Sequence, residues 1–303
     1  MTVPESPQPA SPVQIGLDRA AHERAADGLV DDARARPDAR VLAVHGDRAP
    51  LAADGALRWL APHEVASDAA WAFLGRDAAG APLLLAASPA DSEAPAVAET
   101  WGALRAVGGE LGSADAQAFV AALSLGRWLL DAPFCPACGS ATRVHAAGWA
   151  RTCEGCGREH FPRTDPAVIV AVSSGDRQRL LLGSNALWAQ HNRYSTFAGF
   201  VEAGESLESA VEREVHEEAG VRLSALRYGG SQAWPYPRSL MLGFHAVADD
   251  EQAARADGEE IVAVRWFTRD EIAEALAGGG DVLLPGTASI AHRLITDWVE
   301  GRA

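Results

Sequence analysis

The chain has 303 residues, with 26 basic side chains against 41 acidic ones and a formal net charge of −15 at pH 7. This length allows two or three domains with sizeable cores. The charge disfavours broad binding to nucleic acid, which depends on clustered positive charge. The apolar runs are too short to cross a bilayer, and no basic segment followed by an apolar stretch opens the chain, so we expect a cytoplasmic protein without a membrane partner.

The first part of the chain predicts a tail and an α+β domain without a cluster of chemically active residues. Residues 1–13 are rich in proline and serine without an apolar period, which indicates a disordered tail. Over residues 14–130 the pattern predicts strands at 40–44 and 82–87 and a helix at 114–130 with Ser113 as its N-cap.

All four cysteines lie in two C-x2-C pairs about fifteen residues apart: Cys135, Cys138, Cys153 and Cys156. Without a secretion signal, this spacing favours a structural Zn2+ held by four thiolates, and a redox pair is the alternative. We therefore predict a zinc ribbon at 131–163, which the metal stabilises in place of a core. The ribbon is also the most arginine-rich part of the chain, although a solvated surface is favoured over a phosphate-binding patch.

Residues 164–303 alternate between strand and helix patterns. Strands are predicted at 167–172 and 180–183, joined by a hairpin at Gly175-Asp176, and helices at 207–219, 269–276 and 289–299. Further strands are predicted at 222–228, 240–247 and 261–267. This order predicts a mixed sheet between layers of helices, an α+β fold preceded by the ribbon and the N-terminal domain.

The helix at 207–219 has an acidic face that is costly on its own. Ser206 is expected to cap its start and Gly220 to end it. Glu214, Glu217 and Glu218 share one arc near the helix C-terminus, where the macrodipole and their mutual repulsion both disfavour anions. A divalent cation would offset these costs, and a solvated acidic face with an Arg213–Glu217 pair is the alternative.

This helix lies inside a longer pattern, G-x5-E-x7-R-E-U-x-E-E-x-G-U, in which U is aliphatic. The matching residues are Gly199, Glu205, Arg213, Glu214, Val215, Glu217, Glu218, Gly220 and Val221. The pattern resembles the signature of the Nudix hydrolase superfamily, which cleaves nucleoside diphosphates linked to another group. The fold it implies is a Nudix α/β/α sandwich.

Hydrolysis of a pyrophosphate requires neutralisation of phosphate charge and a directed water molecule. Carboxylates that hold Mg2+ or Mn2+ can provide both. We expect Glu214, Glu217 and Glu218 to be ligands and Glu205 to pair with Arg213. Glu218 is the favoured candidate for activating water.

Residues 231–239 read SQAWPYPRS, which on its own could be a turn-rich connection with a buried tryptophan. The segment resembles the SQPWPFPxS motif of the NADH pyrophosphatase family, and the ribbon and residues 160–163 resemble that family too. The resemblance implies cleavage of NADH or NAD+ to nicotinamide mononucleotide and AMP and, as in several bacterial members, removal of NAD caps from RNA. It also implies a homodimer whose active sites share residues.

The resemblance also assigns roles to single residues. Glu260 and the carbonyl of Ala198 would join the three glutamates as ligands of the catalytic metal, and Phe200 would stack on a base. The residues implied to contact the substrate are Arg105, Phe161, Phe200, Gln232, Ala233, Trp234, Pro235, Tyr236, Pro237, Arg238, Ser239 and Ala291. The sequence departs from the family pattern at Phe161, Ala233 and Tyr236.

Two other functions are compatible with parts of the pattern. One is a Nudix hydrolase for another linked nucleotide, such as ADP-ribose. The other is a non-catalytic regulator that senses nucleotides and uses the ribbon to bind nucleic acid or protein. A degraded signature or a basic recognition surface would indicate the regulator. The complete signature and acidic composition favour the enzyme.

Overall fold

The computed structural model describes residues 17–303, which form two compact units. The first unit contains residues 17–104 and Leu111–Phe161, and the second contains Arg105–Glu110 and Pro162–Ala303. The predicted tail lies outside the described residues. Within residues 17–303, no helix combines the length and the apolar character that crossing a membrane would require.

The first unit is built on a five-stranded mixed sheet in the order β3-β4-β1-β2-β5, in which β1 and β4 are parallel. The strands are β1 (Arg40–His45), β2 (Arg48–Pro50), β3 (Ala70–Arg76), β4 (Pro82–Ser88) and β5 (Trp101–Ala103). The helices are α1 (Leu29–Arg34), α2 (Leu104–Val107), which continues into the second unit, and α3 (Ser113–Asp131). Every residue of β4 is buried, as expected for a strand with neighbours on both sides.

Helix α3 confirms the predicted helix but not its predicted cap. Gly112 is the N-cap, and its carbonyl accepts from the amide of Ala116 at 2.9 Å. Ser113 is already the first helical residue, and its hydroxyl accepts from the side chain of Gln117. The prediction placed the cap one residue too late, because glycine also serves at this position and carries no side-chain signal.

The cysteine-rich segment belongs to the first unit. It forms a three-stranded antiparallel sheet of β6 (Thr142–His145), β7 (Ala150–Cys153) and β8 (Glu159–His160). The Trp149 indole donates to the carbonyl of Phe73 on β3 at 2.7 Å, and the guanidinium of Arg24 lies 3.7 Å from the Trp149 ring centroid. These contacts attach the ribbon to the N-terminal sheet.

The second unit contains a six-stranded mixed sheet in the order β12-β13-β9-β10-β14, with β11 paired to β9. Strands β9 and β13 are parallel, and the other pairs are antiparallel. The strands are β9 (Asp165–Ser173), β10 (Arg179–Asn185), β11 (Phe197–Phe200), β12 (Leu223–Trp234), β13 (Ser239–Ala248) and β14 (Ile261–Thr268). The helices are α4 (Leu207–Ala219), α5 (Arg269–Leu276) and α6 (Ile290–Val299). Short 3-10 helices lie at Ala21–Glu23, Pro62–Glu64, Ala146–Gly148, Ala186–His191 and Glu251–Ala253.

The second unit has two hydrophobic cores, one on each face of its sheet, and the central strand β9 contributes side chains to both. Val170 packs in a cluster with Val211 of α4, whereas the next residue towards the N-terminus, Ile169, packs in a cluster with Leu294 of α6. Successive side chains of a strand point to opposite faces, so helices cover both faces of the sheet. Burial of each of these aliphatic side chains stabilises the folded state by roughly 1.5 to 3 kcal/mol relative to leaving it exposed. The predicted Nudix-type sandwich with a mixed sheet is confirmed.

Candidate active site

The site is built around the loop between β11 and α4. The hydroxyl of Ser206 accepts from the amide of Ser209 at 3.2 Å and starts the helix, and Gly220 ends it with φ 70°. Both predicted ends of the helix are confirmed. The helix is therefore fixed at both ends, and its acidic arc lies beside β11.

Gly199 provides the space that Glu214 occupies. A Cβ atom at Gly199 would lie 1.9 to 2.2 Å from the carboxyl atoms of Glu214. This is far inside van der Waals contact, so only glycine allows the carboxylate to lie against the backbone of β11. The first glycine of the signature thus sets the position of one predicted metal ligand.

Arg213 links the loop to the acidic helix face. Its guanidinium donates to both carboxylate oxygens of Glu205, each at 2.9 Å, and to the carbonyl of Phe200 at 2.9 Å. It also donates to Glu214 at 2.8 Å and to Glu217 at 3.2 Å. The bond from Arg213 lowers the pKa of Glu205, whereas the carboxylates around Arg213 raise its pKa. The predicted pairing of Glu205 with Arg213 is thus present, as a bidentate ion pair.

Glu218 is the most buried acid of the helix, with 5% of its surface exposed. Burial, followed by the charges of Glu260 and Glu214, raises its pKa to about 8. Its Oε2 has no hydrogen-bond partner among the described residues. Burial also raises the pKa of Glu214. An unsatisfied buried carboxylate beside two like charges is unfavourable without a cation or a proton.

The donor set fits a hard divalent cation. The charge of Glu260 lies close enough to Glu214 and Glu218 to contribute to the raised pKa of both, and carboxylate oxygen is the ligand type that Mg2+ and Mn2+ prefer. Glu217 differs, because its side chain is 59% exposed and bonds to Arg213. Among residues 17–303, the four cysteines have ligand atoms that all lie within 4.8 Å of one another, and the glutamates are not drawn together in this way. The roles of the glutamates as metal ligands therefore stay predictions.

A cavity of about 570 Å³ in the second unit adjoins these acids. The sequence-predicted residues that line it are Arg105, Ala198, Glu218, Gln232, Trp234, Glu260 and Ala291. They come from separate parts of the chain, so the cavity exists only in the folded unit. Its size suits a nucleotide-sized ligand.

Residues 231–239 form the end of a hairpin rather than a loose connection, and two of them, Gln232 and Trp234, contribute to one wall of this cavity. Gln232 pairs with Met241 and Trp234 with Ser239 across β12 and β13, and the Tyr236–Pro237 peptide bond is cis. Gln232, Trp234 and Met241 line the cavity, whereas Ala233 does not. Because strand side chains alternate, only part of the motif can face a ligand on this side.

An aromatic and cationic cluster of Trp234, Tyr236 and Arg105 lies at that wall, and Trp234 and Arg105 line the cavity. The Trp234 and Tyr236 rings lie 5.2 Å apart, and the guanidinium of Arg105 lies 3.8 Å from the Tyr236 ring centroid. Tyr236 thus retains an aromatic contact at a position where the sequence departs from the family pattern. The cluster therefore places aromatic rings and a positive charge next to one another.

Comparison with known proteins agrees with this geometry. A family model for the NUDIX domain matches residues 163–285, and a model for the NADH pyrophosphatase zinc ribbon domain matches residues 131–161. The protein named NAD-capped RNA hydrolase NudC from Mycobacterium tuberculosis is 40% identical over 299 residues, covering 94% of this chain and 93% of that protein. This chain belongs to the NADH pyrophosphatase family of Nudix hydrolases.

Other relatives cover less of the chain. The human protein named NAD-capped RNA hydrolase NUDT12 is 36% identical over 200 residues, covering 63% of this chain and 43% of that protein. A crystal structure of a Nudix hydrolase from Nitrosomonas europaea aligns with a TM-score of 0.44 and 24% identity, covering 56% of this chain and 91% of that one.

The ribbon of this family member has the geometry of a zinc site. The Sγ atoms of Cys135 and Cys156 are 3.8 Å apart, and those of Cys138 and Cys153 are 3.4 Å apart. Glycines follow both pairs with φ near +74°, and their amides donate to the carbonyls of Cys135 and Cys153. Four converging sulfur atoms on two such turns suit a tetrahedral structural Zn2+.

Several predicted contacts of the family lie outside the cavity lining. Phe200 is 53% exposed at the end of β11, and Phe161 belongs to the first unit and is 48% exposed. The remaining motif residues outside the lining are Ala233, Pro235, Tyr236, Pro237, Arg238 and Ser239. Arg238 instead donates to Asp165 at 2.8 Å. Their contacts with a substrate stay predictions.

The cavity also contains residues that the sequence analysis did not identify. Among them are Asn185, Trp188, Arg193, Ser195, Thr196, Met241 and Ser289. Met241 could have been found from hairpin alternation opposite Gln232. The segment 185–196 has no motif, and only its position after a buried strand marks it as a loop that could carry function.

Proposed function

We propose that this protein is a divalent-metal-dependent pyrophosphatase that hydrolyses NADH and NAD+ to nicotinamide mononucleotide and AMP and removes NAD caps from RNA. The observation that carries this proposal is the 40% identity over 94% of the chain to a protein named NAD-capped RNA hydrolase. It is supported by the cavity, where the acidic helix and the 231–239 hairpin meet.

In the proposed reaction, a water oxygen forms a bond to one phosphorus of the pyrophosphate, and the bond from that phosphorus to the bridging oxygen breaks. Mg2+ or Mn2+, held by Glu214, Glu217, Glu218, Glu260 and the Ala198 carbonyl, would neutralise phosphate charge when bound. Glu218 is our candidate for accepting the proton from water, since its buried carboxylate lies in the cavity and has an unpartnered oxygen.

Substrate selection is assigned to the hairpin wall. Trp234 and Arg105 line the cavity and present flat surfaces that suit a base or a nicotinamide ring. The departure at Ala233 leaves this wall unchanged, because Ala233 does not line the cavity. The flat surfaces of this wall favour a dinucleotide substrate over ADP-ribose, because ADP-ribose lacks the nicotinamide ring and has only one ring that can stack.

Three further properties are proposed, the first from the resemblance and the other two from the sequence pattern. They are a homodimer with shared active sites, a cytoplasmic location, and an organisation into residues 14–130, a ribbon at 131–163 and a catalytic domain at 164–303. The matches of the ribbon and Nudix family models to adjoining segments support the last two boundaries.

Product analysis with NADH, NAD+, ADP-ribose and NAD-capped RNA tests the proposal. We expect the dinucleotides and the capped RNA to have higher kcat/KM than ADP-ribose. Glu218→Gln should lower kcat by about 100-fold or more while folding and zinc content are unchanged. Glu212→Gln, on the exposed side of the same helix, is the matched control and should retain activity. Preferred turnover of ADP-ribose would support the alternative hydrolase, and RNA binding without any hydrolysis would support the regulator.

A further inference from the structure

Arg193 lines the catalytic cavity, and neither the signature nor the hairpin motif includes it. Its Nε is buried and has no hydrogen-bond partner among the described residues. A buried N–H group without a partner costs free energy, so native proteins rarely leave one without a function. The same cavity contains the buried Thr196 hydroxyl, which also has no partner among those residues. Two unsatisfied polar groups on one segment indicate a polar ligand.

The backbone that carries Arg193 is fixed on both sides. Leu283 donates its amide to the carbonyl of Asn192 at 3.1 Å and accepts from the amide of Tyr194 at 3.0 Å. The side chain of Asn192 donates to the carbonyl of Asp281 at 2.9 Å. The backbone of Arg193 is therefore already ordered by these hydrogen bonds, which reduces the conformational entropy lost when Arg193 binds a ligand.

The guanidinium of Arg193 lies over the ring of Trp188. The Cζ atom of Arg193 lies 4.8 Å from the Trp188 ring centroid, and both residues line the cavity. Stacking uses the face of a guanidinium and leaves its N–H groups, which lie in the plane, able to donate. The Arg193–Trp188 pair thus brings N–H donors and a positive charge to the cavity.

Phosphate is the ligand chemistry that matches this arrangement. Planar, forked N–H donors complement phosphate oxygens, and a guanidinium keeps its charge at any physiological pH. We propose that Arg193, held by Trp188, binds a phosphate group of the substrate; this rests on the proposed function. The phosphate is either the pyrophosphate present in every substrate or the first phosphodiester of a capped RNA.

Kinetics with NADH and a short NAD-capped RNA test this inference. Arg193→Met retains an apolar stem and removes the donors, and it should raise KM about tenfold with kcat within about twofold. Arg193→Lys retains the charge but lacks the forked donors, so its KM should lie between the values of the wild type and Arg193→Met. Arg36→Met, an exposed residue of the first unit paired with Asp38, is the matched control.

The outcomes separate the two phosphates and the two proposals. A higher KM for both substrates assigns Arg193 to the pyrophosphate, and a higher KM for the RNA alone assigns it to the phosphodiester. If Arg193→Met folds and its KM for NADH and for the capped RNA equals that of the wild type, the inference is overturned. If Arg193→Met does not fold, the same result for Arg193→Lys overturns it.

If the wild type cleaves neither substrate, the proposed function fails. Calorimetric binding of ADP-ribose, measured in a Glu218→Gln background, then decides the inference by itself. Binding about tenfold weaker in the Arg193 variant supports a phosphate contact, and equal binding overturns it.

Discussion

The guanidinium of Arg213 donates one hydrogen bond to each carboxylate oxygen of Glu205, and both N···O distances are 2.9 Å. Since Glu205 also accepts from the amide of Glu202 at 3.0 Å, this pair closes the loop that precedes the acidic helix. Arg213 bonds to Glu214 as well. A single side chain therefore couples the shape of the loop to the position of a predicted metal ligand.

Arg213→Lys tests this coupling, because lysine keeps the charge but cannot donate a planar pair of bonds. We expect kcat to fall about tenfold or more and the thermal midpoint to decrease by a few degrees. Steady-state kinetics and thermal melts measure the two effects. Arg265→Lys, whose partner is Glu271, is the control. Wild-type kcat in Arg213→Lys would show that charge alone is sufficient.

Gly199→Ala tests the space beneath Glu214. The new methyl group would overlap the carboxylate, so Glu214 must move, and a displacement of about 1 Å in an active site can reduce the rate about 100-fold. We expect kcat to fall by that order with little loss of folded protein. Gly112→Ala adds a methyl group where no atom lies within 4 Å, and its kcat should be nearly that of the wild type. Equal activity in both variants would contradict the steric argument.

The acidic helix could be predicted in detail because its signals are local. A capping serine, a terminal glycine and charge spacing are all visible within fifteen residues, and they follow from backbone geometry alone. The sandwich was also predictable, because the order of strand and helix patterns in residues 164–303 indicates a mixed sheet between layers of helices, and the structure shows β9 packed against both layers.

The cavity was only partly predictable, because it depends on tertiary contacts. Arg193 and Trp188 lie on a segment without a motif, and they reach the cavity through pairing with distant residues such as Leu283. Residues 105–110 join the second unit although the local pattern placed them in the N-terminal domain. The family motif named a continuous run, whereas only Gln232 and Trp234 of that run line the cavity, because side chains alternate along a strand.

Glu218 predicts a pH dependence of stability in protein free of Mg2+ and Mn2+. Its pKa of about 8 in the folded protein exceeds its ordinary value of 4.5 because the carboxyl group is buried beside Glu260 and Glu214. The folded state then binds the proton more tightly, so the stabilisation is complete below about pH 4.5 and is lost as pH rises through 8. The thermal midpoint of the wild type should fall relative to Glu218→Gln between pH 5 and pH 9. Parallel curves for the two proteins would contradict the raised pKa.

The zinc prediction concerns the first unit. Because Cys135 and Cys153 are buried and the ribbon strands are short, the metal should supply much of the ribbon's stability. Cys153→Ser should lower the zinc content from about one ion per chain to near zero and reduce the melting temperature, whereas Ser113→Ala, in helix α3, should keep the metal. Metal analysis and melting curves measure this. A wild-type protein without zinc that reacts as a dithiol would instead indicate a redox pair.

The last prediction concerns Gln232, whose side-chain amide is bonded at both ends. Its Nε2 donates to the carbonyl of Ala288 at 2.8 Å, and its Oε1 accepts from the amide of Ile290, the first residue of α6, at 2.7 Å. Gln232 therefore holds the start of α6, where Ala291 lines the cavity. In Gln232→Met the amide of Ile290 loses its partner, which should cost about 1 to 2 kcal/mol of stability.

Two measurements separate this positioning role from direct contact with the substrate. If Gln232 acts through α6, Gln232→Met should raise KM and also speed hydrogen exchange at the amides that begin α6, because a lost bond at a helix start exposes them. Gln232→Glu should protect Ile290 better than methionine does, since a carboxylate still accepts from that amide but cannot donate to Ala288. A higher KM with unchanged exchange in both variants would instead assign Gln232 to the substrate itself, as the family resemblance implies.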